Sequence, residues 1–183
     1  MLFGGSMQRT KKNHGFTLIE LMVTIAVMAI IATMAAPSFG NLISEQKLNR
    51  SVRELVLAIN QAKSQAALMK TTVALCLNKT NSDDDFTKEE CATATIPEYV
   101  ATTGTPPIQV LTPEQKKEAL RSRVISVQVD PGVIVESTSA TKILFNDIGS
   151  VNSSETFSFC KSGKRKIVLV TMLGIISQTS GTC

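Results

Sequence analysis

Residues 13–37 read NHGFTLIELMVTIAVMAIIATMAAP, and this stretch decides how the rest of the chain is organised. Between Phe16 and Ala36 the only charged side chain is Glu20. At about 1.5 Å per residue, a helix of this length would reach about 30 Å, the thickness of a bilayer's hydrocarbon core. We therefore predict a transmembrane or filament-core helix over residues 16–37.

The single carboxylate in this apolar run needs a counter-charge, because an ionised side chain in hydrocarbon is tolerated mainly where it finds a partner. No Lys or Arg lies between Phe16 and Ala36, so Glu20 is either protonated or paired with another molecule. A cut between Gly15 and Phe16 would create an amino-terminal cation one helical turn from Glu20. In a bundle of such helices, that amine could neutralise Glu20 of the next subunit, which predicts an assembly role.

The segment from Gly15 to Glu20 (GFTLIE), preceded by a basic leader, resembles the class III signal of type IV prepilins and type II secretion pseudopilins. The resemblance implies that a prepilin peptidase cuts after Gly15 and methylates the new terminal Phe16. It implies that Glu20 registers neighbouring subunits. Pro37 matches the proline usual in this family, and we expect the helix to bend there.

Charge patterning predicts the orientation of the chain in a membrane. Three cations, Arg9, Lys11 and Lys12, precede the apolar run, so the positive-inside rule places residues 1–15 in the cytoplasm and the remainder in the periplasm. Either Met1 or Met7 can be the start. Without those three cations the formal charge of +4 falls to +1, so bulk charge does not indicate a nucleic acid partner.

A conventional secretory signal is the competing interpretation of the amino terminus. Met34-Ala35-Ala36 could serve as its cleavage site, which would release a soluble protein. The length of the apolar run and the position of Glu20 inside it argue against this processing.

Four cysteines lie on the predicted exported side, at Cys76, Cys91, Cys160 and Cys183. An even number in an oxidising compartment indicates two disulfides, for which three connectivities are possible. We favour Cys76–Cys91 and Cys160–Cys183, since each closes a short loop worth about 3 kcal/mol in the chain-entropy model. No C-x-x-C pair is present, and the only His precedes Gly15, so we predict no metal site.

Beyond Pro37 the chain of 183 residues predicts a single α+β head over residues 38–183. Apolar residues at helical spacing predict an amphipathic helix over 38–70, continuous with the first; they are Leu48, Val52, Leu55, Val56, Ile59, Ala62, Ala66 and Met69. Alternating residues then predict strands over 72–77, 124–129, 133–136, 142–145, 156–160, 166–171 and 174–178. We expect them to form antiparallel sheets on the apolar stripe of the helix.

Three connecting segments carry further expectations. Residues 78–85 form a polar loop, in which three Asp residues lack the Gly and Glu of a calcium loop. Residues 92–113 contain four Pro residues and predict an extended surface excursion. Thr112, Pro113 and Gln115 predict the start of a short helix reaching about Arg121.

The order of one long helix and many strands, ending in a Cys160…Leu173-Gly174 motif, resembles the GspH/FimU family of minor pilins and pseudopilins. Many members carry Arg after this Gly, where the present chain has Ile175. The resemblance implies a subunit that associates with other minor pilins or pseudopilins and with the major pilin. It also implies contact with prepilin peptidase, and with the inner membrane before assembly.

The sequence argues against catalysis, since the predicted mature chain has no His and none of the motifs that bind nucleotides or zinc. We therefore expect no catalytic residue, no cofactor and no small-molecule substrate. A basic cluster at Lys161, Lys164, Arg165 and Lys166 suggests DNA capture, but one Tyr and no Trp leave little for base stacking.

Three hypotheses follow. The first is a minor type IV pilin near the pilus tip that primes assembly, serving twitching motility, adhesion or DNA uptake. The second is the corresponding minor pseudopilin of a type II secretion system, acting in protein export. The third is a surface adhesin or DNA receptor carried on the filament.

Overall fold

The computed structural model describes residues 16–80, 85–100 and 110–183, without the side chains of 34–38. Within these ranges the chain divides after Gly40, and Asn41–Cys183 forms one compact unit. The elements are α1 (Leu18–Met69), β1 (Val73–Leu77), α2 (Lys88–Thr95), a 3-10 turn (Pro97–Tyr99), α3 (Pro113–Ser122), β2 (Val124–Val127), β3 (Ile134–Val135), β4 (Lys142–Phe145), β5 (Glu155–Lys161), β6 (Lys164–Val170) and β7 (Ile176–Thr182). This is the predicted α+β, pilin-like fold: one long amino-terminal helix followed by β-sheets.

The second half of α1 supplies one wall of the core. Its stripe of apolar residues packs against both sheets; the buried members are Leu48, Val52, Leu55, Ile59, Ala62 and Ala66. The periodicity predicted these positions, although Met69 at the end of the stripe is 43% exposed. The predicted bend at Pro37 stays a prediction, because that side chain lies outside the described residues.

Strand β1 lies at the centre of a three-stranded sheet with the order β2-β1-β4. All five of its residues are buried. Since side chains alternate between faces, Val73, Leu75 and Leu77 enter the core beside α1. Ala74 and Cys76 join a second cluster under α2. The sheet is therefore sandwiched between α1 and the shorter helices.

The pairing of β1 with β2 is parallel, in register from Ala74 opposite Val124 to Leu77 opposite Val127. The sequence predicted antiparallel neighbours throughout. A parallel pair requires a crossover connection of a dozen or more residues, and residues 78–123, which contain α2 and α3, supply it. The other pairs, including β1 with β4, are antiparallel.

The second sheet has the order β3-β5-β6-β7. Buried Phe157, Phe159, Val168 and Val170 point from it into the core beside α1. Each predicted strand in this region is present, with bounds that differ by a few residues. The largest difference is at the end of the chain, where β7 continues to Thr182 rather than stopping near Gln178.

The predicted surface excursion over 92–113 is wrong for its first part. Residues 88–95 form α2, whose Thr87 and Glu90 make a reciprocal capping box. Cys91, Ile96 and Tyr99 are at most 4% exposed, because this segment covers the outer face of β1. Residues 101–109, and residues 81–84 of the predicted polar loop, lie outside the described residues.

Candidate functional site

The first turn of α1 holds the predicted assembly carboxylate in a defined position. The backbone N–H and the hydroxyl of Thr17 both donate to Oε2 of Glu20, each at 2.9 Å. In return, the backbone N–H of Glu20 donates to the Thr17 hydroxyl oxygen at 3.3 Å. With α1 beginning at Leu18, this is a capping box in which Thr17 is the N-cap and Glu20 the third helical residue.

The capping box uses only one oxygen of the carboxylate. Within the described residues, no donor bonds Oε1 of Glu20, and no Lys or Arg forms an ion pair with it. The two threonines further along the helix use their hydroxyl protons within it: the hydroxyls of Thr24 and Thr33 donate to the backbone carbonyls of Leu21 and Ile30. The second carboxylate oxygen of Glu20 is therefore an acceptor that this described stretch leaves open for another molecule.

The side chains around Glu20 are apolar and uncovered. Phe16 is 89% exposed, and large apolar residues as far as Ile31 at 57% are exposed on all sides of the helix. A helix that is apolar all round requires cover from lipid or from other protein. Among the described residues, no helix meets the length and hydropathy that crossing a membrane requires. Phe16 of the predicted cleavage site is described, while Gly15 and the leader 1–15 lie outside the described residues.

The four cysteines form the disulfides Cys76–Cys91 and Cys160–Cys183, each with Cα atoms 6.0 Å apart. These are the pairs that the loop-closure argument favoured. The first ties β1 to α2, and the second ties β5 to the residue after β7. Glu136 lies close to the second disulfide, but both sulfurs there are bonded to each other, so they offer no thiolate to a metal.

Three of the four cations in the basic cluster of the β5–β6 hairpin contact acceptors elsewhere in the head, and the fourth, Lys166, bonds Ser180. Lys164 forms an ion pair with Glu45 at 2.6 Å, and Arg165 one with Glu136 at 2.7 Å. The ammonium of Lys161 donates to the carbonyl of Gly132 at 2.8 Å. Partner carboxylates reduce the field available to a phosphate backbone, so the arrangement does not favour DNA capture.

Besides the Lys164–Glu45 ion pair, a second contact joins the four-stranded sheet to α1, at the turn between β6 and β7. Lys63 Nζ donates to the carbonyl of Gly174 at 2.9 Å. Gly174 has φ +69°, and a Cβ there would lie 2.8 Å from the carbonyl oxygen of Gly149. Two turns therefore meet at this lysine. The residue after Gly174, where many relatives have Arg, is the 59% exposed Ile175.

These features define a pilin-like protein: a long amino-terminal helix with a capped acid in its first turn, and a disulfide-bonded β-rich head. Residues 10–36 match the prokaryotic N-terminal methylation motif, and residues 51–174 match the type II transport protein GspH family. The chain belongs to the GspH family.

Several similar curated proteins are fimbrial proteins. A probable minor fimbrial protein of Dichelobacter nodosus is 29% identical over 113 residues, covering 60% of this chain and 69% of its own length. Fimbrial protein Q of Moraxella bovis is 43% identical over 56 residues, which are 31% of this chain and 34% of that protein. A fimbrial protein of Pseudomonas aeruginosa is 38% identical over 58 residues, 32% and 37% of the two lengths. No solved structure matches. The chain is therefore a minor pilin or pseudopilin.

Proposed function

We propose that the chain is a minor type IV pilin that lies at or near the pilus tip and helps prime pilus assembly. The observation that carries this proposal is the carboxylate of Glu20, held by Thr17 with one oxygen open on an uncovered apolar helix. An open anion in apolar surroundings favours pairing with a cation of a neighbouring subunit. The similarity to a minor fimbrial protein supports a pilus rather than another filament.

Processing and location follow from the same proposal. Prepilin peptidase cuts between Gly15 and Phe16 and methylates Phe16, after which residues 16–37 anchor the subunit in the inner membrane. The head 38–183 faces the periplasm until the subunit enters the filament. Its partners are the major pilin and other minor pilins. The role is structural, without catalysis, and it serves motility, adhesion or DNA uptake through the pilus.

The second candidate is a minor pseudopilin of a type II secretion system, which the description of the matching family favours. Deleting the gene separates the two candidates. Loss of surface pili with normal exoprotein secretion supports the pilus. Retained pili with exoproteins trapped in the periplasm support the secretion system.

The assembly role is tested by substitutions that separate charge from capping. Glutamine also serves at the third position of a capping box, so Glu20→Gln keeps the hydrogen bonds with Thr17 and removes only the charge. We expect this variant to be processed and membrane-bound, but depleted from sheared pili on an immunoblot. The matched control, Thr24→Val, removes a hydroxyl one turn further on and should be incorporated normally. Normal incorporation of Glu20→Gln contradicts the ion-pair account.

A further inference from the structure

The outer edge of β7 is unpaired and lacks the features that usually prevent another strand from pairing with it. Sheets usually protect an edge by shortening it or by placing Lys, Pro or a bulge on it. The opposite edge strand of this sheet, β3, has only two residues. Strand β7 has seven, reads ISQTSGT, and carries neither charge nor Pro. Its seven pairs with β6 follow in unbroken register, so no bulge turns the edge away.

The hydrogen bonds at the two ends of the β6–β7 pairing show which backbone groups of β7 face outward. The N–H of Thr171 donates to the carbonyl of Ile175 at 2.9 Å, and that of Cys183 donates to the carbonyl of Gly163 at 3.2 Å. Residues of an antiparallel strand alternate between bonding the neighbour and facing away. The odd residues of β7 therefore bond β6, and the even ones present N–H and C=O groups at the free edge. Among the described residues, no other strand pairs with this edge.

A groove of about 290 Å³ runs beside this edge, between β7 and α1. Its floor is apolar, formed by Val52, Val56 and the 63% exposed Leu57. The rest of its lining is polar or charged: Asn49, the cations Arg53 and Lys166, and the β7 residue Gln178. Since Gln178 has an even number, its side chain faces the groove while its backbone faces the free edge. A strand added to β7 would therefore point every second side chain into the groove.

The charge of the groove identifies the occupant. No carboxylate lines it, and Arg53 has no ion-pair partner among the described residues. Lys166 donates its hydrogen bond to the neutral hydroxyl of Ser180, at 2.8 Å, and interacts with the Glu45 carboxylate only through space, since Glu45 bonds Lys164. A second copy of this chain pairing through its own β7 would bring no acid, because β7 contains no Asp or Glu. The complementary strand is an acidic one.

We propose that the edge of β7 binds, by strand addition, an extended segment of another protein whose groove-facing positions carry a carboxylate and, two residues away, an aliphatic side chain. The carboxylate pairs with Arg53 and Lys166, and the aliphatic side chain packs on Val56 and Leu57. Main-chain hydrogen bonds supply the affinity, and the alternate side chains supply the specificity. This surface lies within residues 41–183, so it adds a second contact to the assembly through Glu20.

The test uses the full chain in detergent micelles, labelled with ¹⁵N, and the synthetic peptide acetyl-TVTETVT-amide as probe. We expect saturable shifts of the β7 amides at positions 176, 178, 180 and 182 at peptide concentrations below about 1 mM. The control peptide acetyl-TVTKTVT-amide should bind at least about tenfold more weakly, because its cation faces Arg53 and Lys166.

Two variants make the test specific. Gln178→Pro removes one outward N–H without removing a bond to β6, and should abolish binding; Thr179→Val, on the opposite face of β7, should not. Replacing both cations, Arg53→Glu together with Lys166→Glu, should reverse the preference towards the lysine peptide, which a general loss of folding cannot mimic. Equal binding of both peptides, shifts confined to α1, or no saturable shift overturns the proposal. Shifts that depend on protein concentration alone also overturn it, in favour of a second copy.

Discussion

We predict that the disulfide Cys160–Cys183 keeps β7 paired with β6, and that removing this disulfide makes β7 the first strand of the sheet to open. The bond closes a loop with a sequence separation of 23, which corresponds to about 3 kcal/mol in the chain-entropy model. For a head of this size, about 3 kcal/mol lowers the melting temperature by about 10 °C. The strand itself contributes little burial, because six of its seven residues are exposed and only Ile176 packs on the core.

The perturbation is the double replacement Cys160→Ala with Cys183→Ala, compared with Cys76→Ala and Cys91→Ala. The second pair closes a loop of separation 15, so both variants should lose a similar amount of global stability. Amide hydrogen exchange of the full chain distinguishes them. We expect the first variant to lose protection in β7 well before β5 and β6, and the second to lose it in α2. Unchanged protection of β7 relative to β6 would refute the view that the disulfide tethers this edge.

Three other substitutions test separate parts of the head, each by thermal melting of the full chain. Gly174→Ala should destabilise by at least about 1–2 kcal/mol, because its φ of +69° is left-handed; Gly181→Ala, with open space around it, is the control. Ile59→Ala should cost about 2–5 kcal/mol, because this fully buried side chain leaves a cavity. Glu45→Gln should lower the melting temperature at pH 6, and this difference should shrink as the pH is lowered into the acid range. The Lys164 hydrogen bond lowers the pKa of Glu45, so that its contribution exists above the unfolded pKa and is lost as pH falls through the folded one.

Much of the long helix could be predicted because its signal is local. The spacing of Leu48, Val52, Leu55 and Ile59 names the buried face whichever sheet covers it. The helix α3 was equally readable, since Thr112 and Gln115 form the capping box that their spacing predicts. The helix α2 was missed although Thr87 and Glu90 have the same spacing. Its eight residues include no regular apolar stripe, so only the cap could have revealed it.

The pairing of strands that are distant in the sequence was harder to predict. The apolar run at β1 is compatible with any sheet position, and only the packing of α2 on its outer face explains why Ala74 and Cys76 are buried. Its parallel pairing with β2 likewise depends on how residues 78–123 cross over. Sequence patterns specify which side of a strand is apolar, but they do not specify its neighbours.

The features of the candidate sites also fall into two groups, those that the sequence determined and those that needed the structure. The sequence alone determined the presence of a lone acid at Glu20 in an apolar helix and the even set of cysteines, because charge, hydropathy and residue type do not depend on folding. Only the tertiary structure decided that Lys164 and Arg165 of the hairpin pair with Glu45 and Glu136, and that β7 is left with a free edge beside Arg53. Those features depend on distances between groups that are up to 119 residues apart, and on which backbone groups a sheet leaves unpaired.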